Sequence, residues 1–196
     1  NDKNPKLLKI LPGFLIRYIK RIIHQDELNG DVNDENHNRE HDFVDSAIKV
    51  FGPKVISNGG ENIPPTGSLI MAGNHPMGAL DAIAWMDAAG EYRKDIRFFV
   101  NDLLLQVEPF GDLFVPINKH GANSSEYINK MEECYASDQC KLIFPAGMVS
   151  RLRKDGTIKD LIWKRSFIEK AIKYKTNILP VHIEGRNTSF FYKLGY

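Results

Sequence analysis

From residue 54 onward, short apolar runs alternate with helical patterns, and this alternation limits the possible folds more than any other feature of the chain. The runs 54–57, 68–73, 96–100, 115–118, 141–144 and 177–183 read as strands. Between them, 79–89, 124–136 and 161–174 carry apolar residues at helical spacing, the second opened by Asn123 or Ser124 with Glu126 close behind. Strands separated by helices pair in parallel, because each return passes over the sheet. The expected fold is therefore α/β, with a mixed, largely parallel sheet flanked by helices. A chain of 196 residues builds one such core; the expected division is an N-terminal part over 1–53 and one domain over 54–196. There is no internal repeat and no low-complexity tract.

The N-terminal part has a different pattern. Over residues 4–26 the polar or small positions Lys6, Lys9, Gly13, Arg17, Lys20 and His24 recur in helical steps and share one face. Leucines, isoleucines and aromatic residues cover the rest, and Pro12-Gly13 divides the segment. Every formal charge from Lys3 to Arg21 is positive. A wide apolar face with a narrow basic stripe suits an interface with anionic lipid, so residues 4–24 are expected to contact a membrane surface. The alternative is a helix packed on the domain with its stripe in water. Residues 25–42 are polar and Asn-rich and read as a linker, with His37 and His41 solvated. Phe43, Ala47, Ile48, Val50 and Phe51 then fit a short amphipathic helix.

Composition excludes several classes. Lys and Arg number 26 against 25 Asp and Glu, and a formal charge of +1 argues against a dedicated nucleic-acid binder. Cys134 and Cys140 are too few for a disulfide framework and lack zinc spacing, which points to reduced thiols and a cytosolic compartment. No apolar run reaches the roughly 18 residues of a single membrane-spanning helix. There is no secretory leader pattern and no initiator Met, and the chain reads as a piece of a longer protein.

In parallel sheets, reactive groups collect just past the carboxyl ends of the strands. Three segments fall there: 72–81, 116–121 and 144–151. His75 follows a hydrophobic strand, and Asp81 lies six residues on, in the first turn of a helix. Imidazole titrates near neutrality and can take a proton from an attacking hydroxyl or amine. A carboxylate fixes its tautomer and stabilises the imidazolium. The loop between them contains Pro76 and Gly78 and can fold the two side chains together, with Asn74 holding its own backbone. No nucleophilic Ser or Cys stands beside His75, which favours direct transfer between two substrates over a covalent enzyme intermediate. The plainer alternative is a turn histidine with Asp81 acting only as a helix cap. Trp85 and Trp163 read as core or interface residues, and His182, Glu184 and Arg186 as a structural salt-bridge group after the last strand.

These segments carry a family resemblance. Asn74-His75…Asp81 resembles the His/Asp motif of the glycerolipid acyltransferases, the family that includes the lysophosphatidate acyltransferases. The lead-in Asn62-Ile63-Pro64-Pro65, the block Phe144-Pro145-Ala146-Gly147 (similar to FPEG) and the strand Ile178-Leu179-Pro180-Val181 follow in the family's order. Five residues separate His75 from Asp81, one more than the usual motif, and this HPMGALD form looks like the hemolysin-like branch of ornithine- and glycine-lipid acyltransferases. Ala146 replaces the Glu of FPEG, Met148-Val149 the usual Thr-Arg, and Lys119 stands where the family's next block ends in Arg. A bidentate phosphate site is weakened by that exchange. An acceptor bearing a carboxylate, such as an acylated amino acid, fits the altered set.

The resemblance implies a peripheral enzyme on the cytoplasmic face of the membrane. It would move a fatty acyl group from acyl-CoA or acyl carrier protein, as co-substrate, to a polar-lipid precursor, with no bound cofactor or metal. His75 and Asp81 are the implied catalytic pair, and Asn74, Gly78, Lys119, Gly147, Ser150 and Arg151 the implied substrate-binding residues, with Arg153 and Lys154 further candidates for anionic groups. Backbone N–H groups around Gly147 would meet the oxyanion. The competing readings are an inactive lipid-binding module and an acyl-thioester hydrolase.

Overall fold

Leu69–Gly73 (LIMAG) is apolar on both faces, as a strand covered on both sides must be, and it forms the interior strand β1 with all five residues buried. The computed structural model describes residues 44–45, 48–49, 51–101, 113–117 and 125–194. Beyond β1 it contains β2 (Ile96–Asn101), β3 (Phe114–Ile117), β4 (Cys140–Ile143), β5 (Arg151–Leu152), β6 (Ile158–Lys159) and β7 (Asn177–Val181). The helices are α1 (Ala79–Gly90), α2 (Ser125–Ala136), α3 (Ser166–Tyr174) and α4 (Ser189–Leu194). A five-stranded sheet runs in the order β3-β2-β4-β1-β7, and each of its pairs is parallel. β5 and β6 form a separate antiparallel ribbon.

The alternation along the strands sorts the core into two layers. Leu69, Met71, Phe98, Cys140 and Leu142 face α1, where they meet Trp85, Met86 and Ala89. Ile70, Ala72, Phe99 and Ile143 face α2 and α3, where they meet Tyr135, Phe167 and Ala171. Val44 and Ile48, in a helical stretch before the sheet, join the α1 layer.

The crossover from β1 to β2 runs toward the β3 edge on the α1 face, whereas those from β3 to β4 and from β4 to β7 run toward the β7 edge on the other face. Reversing direction and face together keeps these three crossovers of the same hand. The neighbours β1 and β4 therefore send their chains to opposite faces, the arrangement in which parallel sheets bind ligands beyond the carboxyl ends of the strands.

Several expected elements differ. Residues 54–57 form no strand: Ile56 is 71% exposed and the segment has no sheet partner among the described residues, without which β-propensity fixes nothing. The helix expected over 161–174 begins only at Ser166, because Trp163 and Lys164 are engaged by the Asp160 carboxylate and the Pro145 carbonyl. The last strand ends at Val181 rather than 183. Pro180 is tolerated there because β7 is an edge strand. The expected membrane segment 4–24, the linker and Lys119 lie outside the described residues. Among the described residues, no helix is long and apolar enough to cross a membrane.

Two features of the frame are testable. At Gly73, a Cβ would lie 2.9 Å from the Trp85 ring, which is itself wedged against Phe98 and Phe144. Overpacking of this kind costs about 1–3 kcal/mol, so Gly73→Ala should lower the melting temperature by about 2–12 °C. Calorimetry showing an unchanged transition would contradict this packing. On the other face, Glu132 of α2 accepts hydrogen bonds from Lys170, Lys173 and Tyr174 of α3. Those bonds, led by Lys170, pull its carboxyl from 4.5 down to about 2. A carboxyl depressed in the fold stabilises above its unfolded value and loses that contribution as pH falls toward the folded one. Melting temperatures of wild type and Glu132→Gln should therefore differ at pH 6 and converge as pH falls from 4.5 toward 2. Parallel curves would refute the link.

Candidate active site

The loop leaving β1 turns sharply into α1, and the turn is made at Gly78, whose φ of 97° and ψ of −129° suit only a residue without Cβ. That turn brings Asp81, the third residue of α1, back beneath the loop. Its Oδ2 accepts the Met77 N–H at 2.7 Å and the Gly78 N–H at 3.0 Å, capping the helix. The same oxygen lies 2.9 Å from His75 Nδ1. Capping and catalytic alignment are thus one arrangement rather than alternatives. Asp81 is fully buried, and its Oδ1 has no hydrogen-bond partner among the described residues.

With Nδ1–H donating to Asp81, Nε2 carries the lone pair, and it makes no hydrogen bond among the described residues. The His75 side chain keeps 16% exposure, enough to meet a substrate. Its ring stacks on Phe144 from the end of β4, with centroids 3.9 Å apart and planes 17° from parallel. Phe144 leans in turn on Trp85 and Phe98. The imidazole is therefore held along its edge by Asp81 and across its face by a ring anchored in the core. It stands beyond the carboxyl ends of the paired strands β1 and β4.

The loop's backbone is also fixed. The Asn74 amide donates to the Ile183 carbonyl at 2.8 Å and accepts the Ile183 N–H at 2.7 Å, tying the loop to the chain after β7. Asn187 donates to the Pro76 carbonyl at 3.1 Å. Ser150 N–H donates to the His75 carbonyl at 2.7 Å.

The residues expected to bind substrate separate on these facts. Asn74 and Ser150 have their polar atoms engaged within the protein, and Ser150 is only 4% exposed, so both hold the loop. Gly78 forms the turn. The Gly147 N–H donates to the Phe144 carbonyl at 2.9 Å, closing the turn after β4, so it is not free for an oxyanion. Ala146, at the position of the family's Glu, is buried. The Arg151 guanidinium sits 5.3 Å from the centroid of Phe191 in α4. Arg153 donates to the Asp160 carbonyl at 2.5 Å, and Lys154 is exposed. His182, Glu184 and Arg186 are exposed, and no salt bridge joins them to any of the described residues. Cys134 and Cys140 are buried free thiols, and burial pushes them up to about 11 and about 12. Neither is a nucleophile near neutral pH.

Sequence reasoning missed Asp160 and the stacking role of Phe144. The Asp155-Gly156 pair inside an otherwise polar stretch was the available signal for the hairpin that delivers Asp160.

Comparison with known proteins supplies an independent line. A family model described as "Acyltransferase" matches residues 1–196. A lyso-glycine lipid O-acyltransferase from Phocaeicola vulgatus is 39% identical over 193 residues, covering 98% of this chain and 69% of the relative. Its counterpart from Bacteroides thetaiotaomicron is 39% identical over 193 residues, covering 98% of this chain and 71% of that protein. The crystal structure of the 1-acyl-sn-glycerophosphate acyltransferase PlsC from Thermotoga maritima aligns at a TM-score of 0.46 and 14% identity, over 85% of this chain and 69% of that one.

Proposed function

Because this chain belongs to the acyltransferase family, we propose that it transfers a fatty acyl group from an acyl thioester to the hydroxyl of a lysolipid, with His75 as general base. The observation that carries the proposal is the 2.9 Å contact of His75 Nδ1 with a buried carboxylate, which leaves Nε2 for the acceptor. Nε2 takes the proton from the acceptor hydroxyl as its oxygen attacks the thioester carbon. Asp81 compensates the imidazolium. The tetrahedral adduct collapses, the C–S bond breaks, and the leaving thiolate takes the proton from Nε2. Acylated lipid and free thiol result, and His75 returns to its starting state.

The acceptor is proposed to be an acylated amino-acid lipid of the glycine-lipid kind. The names of the relatives from Phocaeicola vulgatus and Bacteroides thetaiotaomicron support this choice, and support an oxygen rather than a nitrogen as the attacked site. The donor is coenzyme A or acyl carrier protein. Contact with the cytoplasmic face of a membrane through residues 4–24 belongs to the same proposal and rests on their basic and apolar sequence.

The test is thiol release from an acyl thioester, followed with and without lyso-glycine lipid. The proposal expects release only with acceptor, matched by diacylated product. Equal release without acceptor would make the protein a hydrolase, and binding of lipid without release would make it an inactive module.

A further inference from the structure

The ribbon after β4 has no place in the sheet, yet it reaches the active-site loop. In its register Arg151 pairs with Lys159 and Leu152 with Ile158, so Ser150 and Asp160 face each other at its base. The Ser150 hydroxyl donates to Asp160 Oδ1 at 2.5 Å. The His75 backbone N–H points at the same carboxylate, 3.2 and 3.3 Å from its two oxygens. The His75 carbonyl accepts the Ser150 N–H at 2.7 Å. Trp163 Nε1–H closes the group from the far side, donating to Asp160 Oδ2 at 2.9 Å.

Both main-chain polar groups of His75 are therefore tied to one Ser150–Asp160 unit. We propose that Asp160 is a positioning residue for the transfer reaction, fixing the backbone from which the general base projects. The inference rests on His75 being that base. Asp81 and Phe144 set the orientation of the imidazole ring, but neither holds the main chain of His75 in place. Asp160 does, through a carboxylate whose hydrogen bonds are stronger than those of a neutral acceptor. Small displacements of a reacting group are costly to rate while leaving ground-state binding nearly intact.

The experiment measures kcat and KM for thioester and acceptor in Asp160→Asn, Ser150→Ala, the double variant and Trp163→Phe, each below its melting transition. An amide at 160 turns one acceptor into a donor facing the groups that must donate to it. For Asp160→Asn, kcat should fall about 10- to 100-fold while each KM stays within about twofold. The double variant should be little worse than Asp160→Asn alone, because the two side chains act as one unit. Trp163→Phe removes one donor from an exposed side chain and should lower kcat about threefold with unchanged melting. Losses that multiply in the double variant, or that track the folded fraction alone, would overturn the proposal. Should Asp160→Asn not fold, Ser150→Ala and Trp163→Phe decide it, and wild-type kcat in both overturns it. His75→Ala in the same assay separates the two levels. If it is inactive while Asp160→Asn is wild type, only the positioning role fails; if it is fully active, the reading beneath it fails.

Discussion

His75→Ala should lower turnover by about 10²- to 10⁴-fold, the contribution of a positioned general base, while the protein stays folded. The fold does not depend on the imidazole. The clamps on this residue go to its backbone, which alanine keeps: Asp160 accepts its N–H and Ser150 donates to its carbonyl. What is lost is one hydrogen bond to Asp81 and the stack on Phe144. Those two losses amount to about 2–4 kcal/mol, a fall of about 4–16 °C in a chain of this size, which still leaves a cooperative melt well above assay temperature. Steady-state assays paired with thermal melts check both halves. Unchanged turnover in folded variant would remove His75 from the mechanism.

Asp81 should behave differently, because its carboxylate serves two structures at once. In Asp81→Asn, the amide oxygen can take the Oδ2 place and keep its three partners, with the amide nitrogen in the Oδ1 place that is unpaired already. The helix cap survives, but the charge that balances the imidazolium does not. Turnover should fall by about 10²- to 10⁴-fold with a small change in melting. In Asp81→Ala the Met77 and Gly78 N–H groups lose their acceptor as well, and stability should fall by about 1–3 kcal/mol. Rate loss without unfolding in one variant, and both losses in the other, distinguish a catalytic carboxylate from a helix cap. Equal behaviour of the two in both measurements would contradict the dual role.

The parts of the molecule readable in the sequence are those where one local rule decides the outcome. β1 is apolar on both faces and bounded by turn residues, and α1 follows a glycine turn, so their existence and the exposure of a loop between them follow from pattern alone. The His75–Asp81 pair was visible for the same reason: five intervening residues containing Pro76 and Gly78 confine two side chains to one small volume. Phe144 and Asp160 were not, because each reaches His75 from a distant part of the chain, and separation along the chain carries no local signal. Asp160 lies 85 residues from His75, and only the register of the β5–β6 ribbon opposes it to Ser150. The apolar run 161–163 looked helical for want of that knowledge, since Trp163 is held out of the helix by Asp160. The expected strand 54–57 failed in the opposite sense, its side chains suiting a strand that no neighbour among the described residues pairs with.

For His75 to act as the base, Asp81 must hold the Nδ1 proton and leave the Nε2 lone pair facing the acceptor. Nitrogen NMR of ring-labelled His75 in the folded protein at mildly alkaline pH reads this directly. A protonated Nδ1 and a bare, pyridine-like Nε2 are expected, with that pattern weakened in Asp81→Ala. A proton resident on Nε2, with Nδ1 bare, would place the lone pair against the carboxylate and contradict it.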